Sequence, residues 1–93
     1  MINKNIINIR KKLDKLDDAF LKLIKRRTNL VNKVLANKIY KKDIVDKKRI
    51  SLILKVIAKK SIKNKIDPKI TKRIWSNMIN AFIDYEYRNF VKK

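Results

Sequence analysis

An apolar stripe runs through the first forty residues in strict three–four alternation: Ile6, Ile9, Leu13, Leu16, Phe20, Leu23, Arg27, Leu30 and Val34. That spacing keeps every member on one face of an α-helix, which completes a turn in about 3.6 residues. Nothing interrupts the pattern before Tyr40-Lys41-Lys42-Asp43. The spacing therefore predicts a helix of about 35 residues, ~50 Å long at about 1.5 Å per residue. Asn3 or Asn5 is placed to cap its start. A chain of 93 residues is expected to form one domain, residues 1–93. As a compact monomer its radius of gyration would be about 12 Å and its diameter about 30 Å. The first helix overshoots that size, and an apolar face does not stay in water. A second copy is expected to cover it, which makes the chain a dimer.

Two further helices are legible. One starts at Asp43 or Asp46, either of which can cap a first turn. It carries Ile50, Ile53, Leu54, Ile57 and Ala58 on one side and fades into Lys59–Lys65. The other opens on Asp67-Pro68, an N-cap residue followed by proline at the first helical position. Ile70, Ile74, Trp75, Met78, Phe82, Tyr85 and Glu86 mark its buried side, with Phe90 near its end. The expected fold is all-α, with one long helix and two shorter ones.

Absences narrow the chemistry. The chain has no glycine, cysteine or histidine and one proline. Without Cys or His there is no thiol or imidazole catalysis and no zinc site of the usual kind. Without Gly there is no phosphate-binding loop and no dinucleotide fingerprint. Neither a metal nor a cofactor is expected. The net charge of +19 comes from 27 Lys and Arg against 8 Asp and Glu. Such a balance suits nucleic acid or an anionic membrane. Most of these cations are lysines spread over every element, however, and Ile, Asn and Lys are enriched together, as an AT-rich coding sequence produces. No membrane span and no signal peptide is apparent, and a cytoplasmic location is expected.

The informative charges break the apolar pattern. Arg27 takes the slot between Leu23 and Leu30 where the stripe calls for an aliphatic residue. Lys38 lies four beyond Val34, Arg10 flanks the seam beside Ile6 and Leu13, and Glu86 lies four after Phe82. Burying an isolated charge costs several kcal/mol unless a partner is supplied. Seven aspartates and one glutamate leave few acids for Arg10, Arg27, Lys38 and Arg49 once the caps are assigned. The expected counter-ion is external, and a dicarboxylate fits because guanidinium grips carboxylate in bidentate fashion.

With these residues in place, the chain resembles the small all-helical chorismate mutases from Ile6 to about Phe90. The resemblance is carried by Ile9-Arg10-Lys11-Lys12-Leu13-Asp14-Lys15-Leu16-Asp17, by Arg26-Arg27, by Lys38, by Asp46-Lys47-Lys48-Arg49 and by Asp67-Pro68. It implies an intertwined homodimer of three-helix chains with two active sites. Each would take Arg27, Lys38 and Arg49 from one chain and Arg10 from the other. It also implies the rearrangement of chorismate to prephenate in phenylalanine and tyrosine biosynthesis, a pericyclic step without nucleophile, metal or cofactor. By that resemblance Arg10 and Arg27 clamp one carboxylate, Arg49 helps position the substrate and Lys38 donates to the ether oxygen. Asp46 marks the turn whose backbone approaches the substrate hydroxyl.

Three positions depart from the pattern. Many bacterial members have glutamine in place of Glu86, donating a second hydrogen bond to the ether oxygen. A carboxyl group donates only when protonated, so activity is expected to decline as pH rises through its titration. Mutases usually have glutamate directly after Arg49, here Ile50, and often serine one turn before Glu86, here Phe82. Both substitutions resemble the isochorismate-pyruvate lyases of the same fold, which form salicylate and pyruvate; as plain core residues they carry no such meaning. Outside enzymes, the alternative is a basic helical dimer binding nucleic acid or another protein. Cations on the apolar seam rather than the exposed face argue against that alternative.

Overall fold

The computed structural model describes residues 3–92. In chain order it contains α1 (Lys4–Ala36), a 3-10 turn (Lys41–Asp43), α2 (Lys47–Lys63) and α3 (Pro68–Asn89). Among the described residues there is no strand. No helix of the described residues is long and apolar enough to cross a membrane. The chain divides into two units, Met1–Val31 and Asn32–Lys93, and α1 runs from the first into the second.

The first unit is helix alone. Asn3 is its cap: the Ile6 N–H donates to Asn3 Oδ1 at 2.9 Å and the Ile7 N–H donates to the Asn3 carbonyl at 3.2 Å. Leu13, Leu16, Phe20 and Leu23 along the stripe are each more than half exposed. A single helix has nothing of its own against which to bury such a face.

α1 stops at Ala36, a few residues before the apolar spacing alone suggests. Asn37 ends it. Its side-chain amide donates to the Lys33 carbonyl at 2.8 Å. Asn37 N–H and Lys38 N–H then tighten onto Val34 O and Leu35 O, both at 3.0 Å. These are the shorter-range bonds with which helix ends close. Lys38 consequently lies past the helix, in the connecting segment, and not on the α1 face four beyond Val34.

In the second unit, Asp46 rather than Asp43 caps α2; its carboxylate accepts from the Arg49 N–H at 3.0 Å. Asp43 belongs to the 3-10 turn. α2 does not fade at Lys59 but continues to Lys63. There it closes with the paired bonds Ile66 N–H to Ser61 O, 2.8 Å, and Lys65 N–H to Ile62 O, 3.1 Å. This closure needs a left-handed residue, usually glycine. The chain has none, and Lys65 takes φ 57°. Asp67 then caps α3, accepting from the Lys69 N–H at 2.9 Å, with Pro68 in the first turn.

α2 and α3 pack on one another. Ile50, Ile53, Leu54 and Ile57 of α2 are half-buried, as are Trp75, Met78, Phe82 and Tyr85 of α3. Ala58, Ile70 and Ile74, expected on the buried sides, are exposed. Near the link between the helices the buried hydroxyls of Ser61 and Thr71 meet at 2.7 Å. Ser61 also reaches Ile57 O at 2.6 Å and Thr71 reaches Pro68 O at 3.3 Å, so each hydroxyl has a backbone acceptor and either can supply the proton they share. The buried apolar side chains among the described residues are Leu35, Ile44 and Ile79, all in this unit.

Candidate active site

The end of α1, the connecting segment and the last turns of α3 bring one pair of expected site residues together. Lys38 Nζ donates to Glu86 Oε1 and Oε2, both at 3.3 Å. The side chains are 19% and 9% exposed, so water screens this ion pair poorly. The Lys38 ammonium also donates to the carbonyl of Ile44 at 3.3 Å. Its three protons thus face three oxygens. Charge-assisted N–H···O bonds usually close to about 2.7–2.9 Å. All three contacts are longer, so the ammonium is held by several weak bonds and can release one at modest cost.

Glu86 corrects the ion inventory read from sequence. Lys38 has an internal counter-ion and does not itself call for an external one. The pairing joins residues 48 apart in sequence, a distance over which helical spacing carries no signal. Nothing in the sequence marked the Ile44 carbonyl, since any residue offers one.

One turn before Glu86 on α3, Phe82 is half-buried. Its ring stands edge-on to Tyr85, centroids 6.5 Å apart at 81°. Tyr85 is in turn fixed by its hydroxyl, which donates to Asn32 Oδ1 at 2.8 Å. Asp46 is engaged as a cap, and Arg49 is exposed in the first turn of α2, followed by half-buried Ile50. Lys47, Lys48 and Arg49 put three cations at a helix N-terminus, where the macrodipole disfavours positive charge. An anion near that turn would relieve the conflict.

Arg10 and Arg27 both lie on α1 in the first unit. Arg10 is exposed; Arg27 is half-buried. They are 17 residues apart, which is about 25 Å along one helix axis. Two arginine side chains of the same helix cannot close that gap onto one carboxylate.

The sequence model of the family described as chorismate mutase type II matches residues 9–87. The chain belongs to the type II chorismate mutases. No curated protein and no solved structure matches it. The matched span includes Arg10, Arg27, Lys38, Asp46, Arg49, Ile50, Phe82 and Glu86. The three-helix architecture is the one the family resemblance implies.

Proposed function

We propose that the protein is a chorismate mutase, an isomerase converting chorismate to prephenate as a homodimer whose two sites are shared between subunits. The observation that carries the catalytic half is the Lys38 ammonium, shielded from solvent and held by weak bonds beside Glu86. In the rearrangement the ether C–O bond breaks as a C–C bond forms, and negative charge builds on the ether oxygen. No proton need be transferred. Lys38 gives up one of its contacts and donates to that oxygen. A donor preorganised in this way is typically worth about 3–4 kcal/mol of barrier. Holding the substrate in its compact diaxial shape supplies more, roughly 7–11 kcal/mol in favourable cases. That task falls to the arginines: Arg10 and Arg27 on one carboxylate, Arg49 beside the α2 cap formed by Asp46.

The dimer is supported by the α1 geometry. If Arg10 and Arg27 grip one carboxylate, Arg10 must come from a second copy, because ~25 Å separates the two along one helix. The exposed stripe from Leu13 to Leu23 supplies an apolar surface for that copy. On this reading the stripe is interface, and residues 1–93 serve as a single mutase domain.

Ile50 and Phe82 favour a second reading, elimination of pyruvate from isochorismate, because an aliphatic and an aromatic side chain leave the substrate hydroxyl without a carboxylate partner. Their half-burial fits packing as well, so the mutase reading stands first. Mutagenesis tests shared sites directly. Arg10→Ala and Arg27→Ala should each abolish conversion of chorismate. Mixed after unfolding and refolding together, they should regain about a quarter of wild-type activity, through one intact site in each mixed dimer. No recovery on mixing refutes the shared site, and near-normal turnover by Arg27→Ala refutes the placement of the site.

A further inference from the structure

We infer that Ile44 is a positioning residue for the reaction, fixing the Lys38 ammonium through its backbone carbonyl. This rests on the reading of Lys38 as the donor to the ether oxygen.

The segment from Asn37 to Asp46 contains no regular structure beyond a three-residue 3-10 turn. Its neighbours Ile39, Tyr40 and Val45 are exposed, yet Ile44 is 3% exposed, a buried anchor in an otherwise solvated connection. The Ile44 N–H donates to Lys41 O at 3.2 Å, closing the turn on its N-terminal side. Its carbonyl meets Lys38 Nζ at 3.3 Å. The segment therefore folds back on itself, side chain pointing into the core and carbonyl facing the ammonium.

The role follows from how a lysine is held. Its four-carbon stem is flexible, and an ammonium has no directional fork of its own. Glu86 attracts Lys38 with both carboxylate oxygens at equal distance, 3.3 Å. That pair fixes distance but leaves the ammonium free to swing about the carboxylate. The Ile44 carbonyl removes this freedom, because a third oxygen on a different element defines a position in space. It also carries no net charge, so it orients the donor without further neutralising it. When Lys38 surrenders a Glu86 oxygen to the substrate, the remaining Glu86 bond and the Ile44 carbonyl keep two points of attachment. The anchoring side chain then governs catalysis without touching substrate, since misplacing a catalytic group by about 1 Å can cost on the order of 100-fold in rate.

The test compares wild type, Ile44→Ala and Ile44→Val at equal protein concentration, with circular dichroism confirming that each is folded. Steady-state turnover of chorismate is measured alongside acetylation of individual lysines by acetic anhydride, read by mass spectrometry. Ile44→Ala should lower kcat by roughly 10–100-fold, in line with a misplaced donor, and leave KM nearly unchanged. Lys38 should become several-fold more reactive while Lys55, Lys59 and Lys60 on α2 do not change. Ile44→Val, which keeps the branched anchor, should recover most of kcat. Unchanged kcat with unchanged Lys38 labelling overturns the inference, as does a loss confined to KM. If Ile44→Ala does not fold, Ile44→Thr, which keeps the branch but buries a hydroxyl in place of the apolar anchor, takes its place: a fall in kcat with a rise in Lys38 labelling supports the role, and the absence of both overturns it. Wild-type protein that makes no prephenate refutes the mutase reading instead, and the labelling arm still decides whether Ile44 holds Lys38.

Discussion

Removing the Lys38 ammonium should destabilise the protein more than any cap or surface change. Breaking a fully buried ion pair from one side costs about 3–5 kcal/mol, because the remaining charge is stranded. Glu86 is 9% exposed at its side chain and Lys38 is 19% exposed, so some water reaches the pair and the lower end applies. Lys38→Met, which keeps the stem but removes the charge, should cost about 3 kcal/mol. In a chain of this size that lowers the melting midpoint by about 12–24 °C. Glu86→Leu should cost less, because an unpaired lysine can swing its head toward solvent. The double variant Lys38→Met/Glu86→Leu removes both charges. It should sit within about 1 kcal/mol of wild type, the residue being the Ile44 carbonyl left without its donor. Thermal and urea melts at one fixed protein concentration measure all four proteins, as the proposed dimer requires. If Lys38→Met melts within a few degrees of wild type, or if the single losses simply add in the double variant, the buried pair has been misread.

Other expectations concern turns, caps and the acid. Lys65 holds φ 57° where glycine fits without strain, so Lys65→Gly should stabilise by about 0.5–1 kcal/mol, visible as a raised urea midpoint. Asp46→Ala removes the α2 cap and should cost about 1 kcal/mol in the same assay, with Asp46→Asn recovering most of it. The Glu86 carboxyl can donate to the ether oxygen only when protonated, and protonation also frees Lys38 from its ion pair. Glu86→Gln, an amide that always donates and carries no charge to hold Lys38, should raise kcat for chorismate at neutral pH, and an unchanged kcat would remove Glu86 from the mechanism.

Much of this architecture is written in local chemistry. The α1 stripe, the Asp67 cap and Pro68 each act within a few residues and stand where sequence spacing places them, and Asp46 is one of the two caps the sequence offers for α2. The end of α1 was masked because apolar periodicity continues past Asn37, whose side chain bonds back to Lys33 and closes the helix. The tail of α2 was hidden by lysines, which are good helix formers but give no apolar pattern. Lys38 and Glu86 stand out in sequence as charges on apolar faces. That they neutralise each other depends on packing between distant elements, beyond the reach of periodicity. Ile44 is the sharpest case, since its contribution to the site is a carbonyl common to every residue, made specific only by a buried side chain in an exposed segment.

The proposed function rests on what the cationic side chains do to a bound substrate, and product identity reports that most directly. Purified protein should be incubated separately with chorismate and with isochorismate, and the products identified by proton NMR. Prephenate from chorismate, with little or no salicylate and pyruvate from isochorismate, is the predicted result. Salicylate and pyruvate as the dominant products would assign the site to elimination, and no turnover of either compound would contradict the account altogether.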